Sequence, residues 1–260
     1  MRCLFEKGAE VMSDASKDAT EKAFQEKFVT ELTRYKWNAP DYLDGNKQKV
    51  TVQDLINNWR RELNRINADQ LEGVELTDGE FKQVMAKVSL INNSYEASKI
   101  LAIEESKGKI DGIYRDDNPK ITRNQITLTI FKKAEVRGGD SSYQVAREVQ
   151  TPNNNRFDIV LLINGLPLIN IEQKRTDKSL DEAFGQFQRY YRDGEYTNNF
   201  MAFSQMMVVT TEIETRYFAT PKSVNEFNPS FVFHWSDKEN KPINNWQKVI
   251  KHFLMIPMAH

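Results

Sequence analysis

Apolar residues recur at helical spacing early in the chain and at strand spacing further on. Over residues 18–36, Phe24, Phe28, Leu32 and Tyr35 share one face of a helix. Residues 38–50, punctuated by Pro40 and Gly45, read as a loop. Thr51 is placed to cap a second helix that buries Leu55, Trp59, Leu63 and Ile66. Thr77 opens a third, with Glu80 three residues on and Phe81, Val84, Met85 and Val88 inward. The pattern is then mixed to a turn at Asp116-Asp117-Asn118-Pro119. From Ile121 to Lys132 the period changes: Ile126, Leu128 and Ile130 alternate with Thr127 and Thr129, as in a strand. Gly138-Gly139-Asp140 marks a turn and Tyr143 to Val149 a further strand. Ser179 and Glu182 form a capping box before a helix with the stripe Phe184, Phe187 and Tyr191, ended by Gly194. Met206 to Thr210 and Phe231 to Trp235 read as buried strands, and Asn244 to Phe253 as a closing helix. The class is α/β: a mixed central sheet flanked by helices, with a helical part over about 18–118, a sheet core over about 119–235 and a closing helix over about 244–254.

One stretch departs from simple burial. Phe157 to Ile163 and Leu166 to Ile171 are two apolar runs around Asn164-Gly165, the signature of a β-hairpin. The first is apolar on both faces apart from Asp158, as in the middle of a sheet. The second ends in Glu172-Gln173-Lys174. Buried charges are costly and are usually paired or metal-bound. Register decides whether these can meet. A strict two-residue loop would set Asp158 opposite Ile171 and turn Glu172 to the other face. A three-residue loop, or an equivalent bulge, sets Asp158 opposite Glu172 with Cβ atoms about 5 Å apart and Lys174 roughly 6–7 Å along the same face. That bulge is the expectation.

Composition narrows the field without choosing a function. The 260 residues suffice for one large domain or two small ones, and the net charge of −1 leaves nucleic-acid contact to a local patch. Cys3 is the sole cysteine, which excludes an intramolecular disulfide and a cysteine-based zinc site. No apolar run reaches the roughly 20 residues of a membrane span, and the N-terminus lacks a signal-peptide core; the expected setting is cytoplasmic. Met12 looks like an alternative start, and residues 1–17 read as a poorly ordered extension.

The tripeptide Glu-x-Lys carries little weight alone, since it recurs at Glu80-Phe81-Lys82, Glu105-Ser106-Lys107 and Glu239-Asn240-Lys241. Only Glu172-Gln173-Lys174 ends an apolar strand with a carboxylate across a hairpin. Spacing leaves two readings open, a buried ion pair joining two strands and a metal site. For the second, Mg²⁺ takes oxygen ligands, commonly one or two carboxylates plus waters and phosphate. Asp158, Glu172 and the Gln173 backbone carbonyl would supply them, while Lys174 would orient or deprotonate a water and stabilise developing charge.

These same residues carry a family resemblance. Asp158, Asn164-Gly165-Leu166-Pro167 and Glu172-Gln173-Lys174 resemble the PD-(D/E)xK nuclease motifs, with Phe157 in place of the proline. The wording Asn-Gly-Leu-Pro-Leu is similar to the N-terminal nuclease domain of type I restriction enzyme R subunits. Gln186-Phe187-Gln188-Arg189-Tyr190 resembles the Q-x-x-x-Y motif of RecB-like nucleases, and Glu214-Thr215-Arg216-Tyr217-Phe218 a later segment of that subunit. The resemblance covers roughly 120–220 well and 20–36 faintly, leaving 38–118 unmatched.

What the resemblance implies is a restriction-endonuclease-like core that cleaves double-stranded DNA with Asp158, Glu172 and Lys174 as catalytic residues and Mg²⁺ as cofactor. Gln186 and Tyr190, otherwise a polar helix edge, would touch DNA or orient the catalytic groups. Glu21, otherwise a solvated carboxylate in a first helical turn, matches the family's N-terminal acidic position. Arg175, Lys178, Arg189 and Arg192 flank the site as candidate phosphate contacts. Modification and specificity subunits and an ATP-driven motor are the implied partners. The chain has no G-x-x-x-x-G-K-[ST] phosphate loop, so the motor is expected beyond residue 260. The rivals are a repair or recombination nuclease of the same superfamily and a catalytically silent DNA-binding or interaction module of the same fold.

Overall fold

The computed structural model describes residues 14–101, 108–130 and 141–255. Four helices come first: α1 (Asp14–Arg34), α2 (Val52–Ile66), α3 (Asp78–Val88) and α4 (Ser94–Leu101). Strands β1 (Lys109–Tyr114) and β2 (Gln125–Thr129) follow, then β3 (Tyr143–Gln150), β4 (Arg156–Ile163) and β5 (Leu166–Gln173). Helix α5 (Leu180–Arg192) leads to β6 (Met206–Thr210) and β7 (Thr215–Ala219), and α6 (Trp246–Val249) continues into a π-helical turn, Ile250–Leu254.

The main sheet has the order β3-β4-β5-β6-β7, antiparallel except for the β5–β6 pair, which α5 connects as a crossover. The charged hairpin therefore supplies the middle of a mixed sheet flanked by helices, the expected α/β class. One face packs against α2 and α5; the other packs Ile159, Leu161, Ile171 and Val208 against Phe24, Phe28 and Leu32 of α1 and Trp246 of α6. Trp246 sits 5.6 Å from both Phe24 and Phe28, joining the two ends of the chain.

Several boundaries differ from the sequence expectations. Helix α1 begins at Asp14, so residues 14–17 belong to it; residues 1–13 and the turn at 138–140 lie outside the described residues. The segment 38–50 runs along β3: Asn38 and Gly45 donate to the carbonyls of Tyr143 and Arg147 at 2.8 and 3.0 Å, satisfying an edge strand that would otherwise present open hydrogen-bonding groups. Strands β1 and β2 form a separate two-stranded sheet. Phe231 to Trp235 is not a buried strand: Phe231 and Phe233 are 62% and 49% exposed, and only Phe233 bridges to Tyr217. Ser179 caps α5 by accepting from the Glu182 N–H, but the Glu182 carboxylate pairs with Lys178 at 3.0 Å instead of closing a box. Ile66 and Met85 are half-buried, and Asn67 takes the inward place beyond Ile66, clamped to Thr129 of β2.

The hairpin tip is a two-residue turn. Asn164 and Gly165 have φ of +50° and +79°, as a turn matched to the strand twist requires. The tip is buried under α2: a Cβ on Gly165 would lie 2.8 Å from the Trp59 Cα, and Trp59 is fully buried against Phe81, Phe200 and Phe203. Asn164 fills its pocket by accepting from the Ser142 N–H at 2.9 Å. Gly165→Ala forces both a strained φ and a backbone clash. It is expected to cost about 2–4 kcal/mol, read as a lower urea midpoint without a change in slope.

Candidate active site

The turn and the register together place the charges. The pairs Ile163↔Leu166 and Leu162↔Pro167 give way to Leu161↔Ile169 and Ile159↔Ile171, so a bulge inserts Leu168 into β5. This is the alternative to a three-residue loop, and it works the same way. Continued by one residue, the register brings Asp158 opposite Glu172, and the Gln173 N–H donates to Asp158 Oδ2 at 2.8 Å.

Glu172 is 1% exposed, and Asp158 lies half-buried beside it. Burial, and then the neighbouring Asp158 charge, push the Glu172 carboxyl well above its ordinary range; burial also raises Asp158, against the opposing pull of Lys174. A buried and a half-buried carboxyl side by side call for positive charge. Lys174, its side chain 16% exposed, supplies one cation, with Nζ 3.8 Å from Glu172 Oε2. That separation is looser than a hydrogen-bonded pair and leaves the Asp158 carboxylate without a direct cationic partner among the described contacts. A second cation fits the set. The donors are hard oxygens, and among the described residues no group of three or more His, Cys, Asp or Glu forms a closed cage. Two carboxylates with room for water and phosphate suit Mg²⁺ better than a structural zinc.

Helix α5 supports this pair. Gln186 Nε2 donates to Glu172 Oε2 at 2.6 Å and also to the Tyr190 hydroxyl. Tyr190 in turn donates to the Arg156 carbonyl at 2.6 Å, just before Phe157 and Asp158. Its ring is buried against Phe157 and Phe187, and its hydroxyl ties α5 to the start of β4. Burial raises its hydroxyl well above the ordinary phenol range, so it stays protonated and able to donate.

Above the pair opens a polar cleft of about 560 Å³, lined by Asp158, Lys174, Gln186, Tyr190, Glu21 and Arg189 among others. Glu21 and Arg189 thus join the site, the latter with its guanidinium 5.4 Å over the Tyr190 ring. Three other candidate cations do not line it: Arg175 pairs with Asp177 at 2.6 Å, Lys178 with Glu182, and Arg192 lies on the exposed side of α5. Arg156 and Asn155, which do line it, escaped the sequence reading; the only signal was their place immediately before Phe157-Asp158. A larger groove of about 660 Å³ lies elsewhere, near Phe184 and Phe218, but is mostly apolar; Lys222 and Glu226 in its lining pair with each other at 3.1 Å. It offers no converging catalytic groups.

Residues 18–226 match the family model for the type I restriction enzyme R protein N terminus. The chain belongs to the type I restriction enzyme R protein N-terminal family. Individual relatives agree. The endonuclease subunit of type I restriction enzyme SauCOLORF180P from Staphylococcus aureus (strain COL) is 34% identical over 212 residues, covering 80% of this chain and 21% of that subunit. The SsaAORF53P subunit of Staphylococcus saprophyticus is 32% identical over 214 residues, with the same coverage of 80% and 21%. The EcoprrI subunit of Escherichia coli is 26% identical over 229 residues, 78% of this chain and 66% of that subunit. The chain therefore spans about a fifth of the length of the staphylococcal subunits, 21%. As an R protein N terminus it has the restriction-endonuclease-like mixed sheet, and its charged hairpin falls inside the matched region. No described helix is long and apolar enough to cross a membrane.

Proposed function

We propose that this chain is the Mg²⁺-dependent module that cuts double-stranded DNA within a type I restriction complex. One observation supports the reading: Asp158 and Lys174 line a polar cleft, and the Glu172 carboxylate lies buried at its base on the adjacent strand, opposite Asp158 and 3.8 Å from the Lys174 ammonium. Asp158, Glu172 and the Gln173 carbonyl would hold the metal. When bound, Mg²⁺ supplies Lewis-acid polarisation of a phosphate oxygen and lowers the pKa of water.

The chain's own groups do the rest. Gln186 fixes the Glu172 carboxylate by donating to its Oε2. The Gln173 N–H fixes Asp158 by donating to its Oδ2. Lys174 points its ammonium at the same place, where it orients the attacking water and offsets charge on the pentavalent phosphorus. Arg189, at the cleft wall, meets the phosphate backbone without reading bases. Sequence choice then belongs to the specificity subunit and ATP hydrolysis to a motor elsewhere in the R subunit.

The test is Mg²⁺ titration of the full-length subunit, assembled with its modification and specificity partners, on DNA carrying the recognition site. Cleavage is expected to rise with Mg²⁺ and to vanish with chelator. A DNA-binding module without nuclease chemistry would give no cut at any metal concentration, which would end this reading.

A further inference from the structure

Helix α1, β3 and β4 converge on Glu148, a residue outside the chemistry so far described. It lies within β3, has φ +51° and is 9% exposed. A non-glycine residue in the left-handed region inside a strand is strained, and such strain persists only where the surroundings impose it. The flanking pairs are Arg147↔Ile159 and Val149↔Phe157, so the kink sits where β3 faces Asp158. Both strands change face across it. Val145 and Ile159 pack in the layer of α1, whereas Val149 and Phe157 pack in the layer of α5. Residues an even number apart in a regular strand would share a face. Gly45 locks the kink from outside, since a Cβ there would lie 2.5 Å from the Glu148 Cβ.

The kink delivers the Glu148 carboxylate to two partners. Gln25 Nε2 donates to Glu148 Oε1 at 2.8 Å and to the Asp158 carbonyl at 3.3 Å. Arg156 Nη1 lies 3.0 Å from Glu148 Oε2, with its side chain 57% exposed and lining the cleft. Gln25 is itself 4% exposed and accepts from Asn46 Nδ2 at 2.9 Å, so its orientation is fixed. It stands one helical turn after Glu21, so holding Gln25 sets which face of α1 meets the cleft. A guanidinium anchored through one edge at a cleft wall leaves its other donors for a phosphate.

We propose that Glu148 is a positioning residue of the nuclease site, holding Arg156 at the cleft wall for a DNA phosphate and Gln25 against the back of Asp158. This rests on the cleavage reading above.

Glu148→Gln keeps the shape and an acceptor for Gln25 but removes the charge that holds Arg156. In the full-length complex, the half-saturating DNA concentration for cleavage is expected to rise about tenfold, as for loss of one charge-assisted hydrogen bond, with the thermal midpoint unchanged. Glu148→Gly, free to adopt the same φ, is expected to keep the fold and show at least this rise, because it also releases Gln25. Arg156→Ala should reproduce it, and Glu148→Gln combined with Arg156→Ala should add nothing further, because the two act as a unit. Wild-type half-saturation in Glu148→Gln, or losses that multiply in the double variant, would overturn the proposal while leaving the nuclease intact. A wild-type complex that cuts no DNA would overturn both.

Discussion

Glu172→Ala, Asp158→Ala and Lys174→Ala are each expected to lower DNA cleavage by the assembled complex about a thousandfold or more, with ATP hydrolysis retained. Each removes a different function. Loss of either carboxylate leaves the metal with one side-chain ligand and the neighbouring Lys174 with unbalanced charge. Loss of the ammonium leaves the 3.8 Å partner of Glu172 missing and nothing to orient the water. Because the three groups serve one transition state, combining two substitutions is expected to cost little beyond one. Lys174→Arg should not restore activity: a planar guanidinium cannot replace a compact ammonium in a site this enclosed. ATP hydrolysis is the control for the assembled motor and the thermal midpoint of this chain the control for its fold, since the hairpin's integrity depends on apolar packing and the Asn164-Gly165 turn, not on these charges. Retention of substantial cutting by Glu172→Ala would remove the carboxylate pair from the mechanism.

The hairpin was legible because its signals are local. Two apolar runs, an Asn-Gly turn and charges at odd positions constrain one another within about twenty residues, and the choice between registers could be posed as a question about a single inserted residue. The answer, Leu168 bulged in β5 beneath a tight turn, needed coordinates: a turn with both φ values positive and a bulge three residues later satisfy the same parity as a three-residue loop. Gln186 was singled out by the resemblance to the Q-x-x-x-Y motif, but its contact with Glu172 was not legible, since a helix and a strand meet only through the crossover. Arg156, Glu148 and Gln25 were invisible for a stronger reason. Gln25 and Glu148 are 123 positions apart, and nothing in either segment foretells a left-handed residue inside a strand. The misread strand at Phe231 to Trp235 shows the converse. Its alternation is that of a strand, yet the chain there lies at the margin of the fold, where Phe231 and Phe233 face solvent. Strand β1 escaped because Gly112, at φ +69°, breaks the period of Lys109 to Tyr114 and leaves no clean alternation to count.

Metal-free protein is expected to lose stability as pH rises above the ordinary carboxylate range, and Mg²⁺ is expected to restore it. The sign follows from the buried Glu172 and the half-buried Asp158 carboxyls. Both have folded-state pKa values raised above their unfolded ones, chiefly by burial and, for Glu172, by the Asp158 charge. Between the unfolded and folded values the native state binds more protons than the unfolded chain, so stability falls with pH through that window. Their contribution is least unfavourable below the unfolded pKa and most unfavourable once both are ionised. A bound divalent cation favours the ionised forms, so binding should release protons, and the Mg²⁺-induced rise in thermal midpoint should grow from pH 5 to pH 8. Glu172→Gln removes the more strongly raised group while keeping an oxygen for Gln186. Without metal at pH 8 it is expected to be more stable than wild type by on the order of 1–3 kcal/mol, roughly 2–8 °C in midpoint, with a flatter pH profile and no Mg²⁺ response. Scanning calorimetry across pH, with and without Mg²⁺, reads all three effects. A Glu172→Gln variant less stable than wild type at pH 8 without metal would mean that the carboxylate is held by its neighbours for stability, a structural ion pair after all. The opposite result is the signature of a site whose charges are kept together at the expense of the fold, which only a cation from outside the chain relieves.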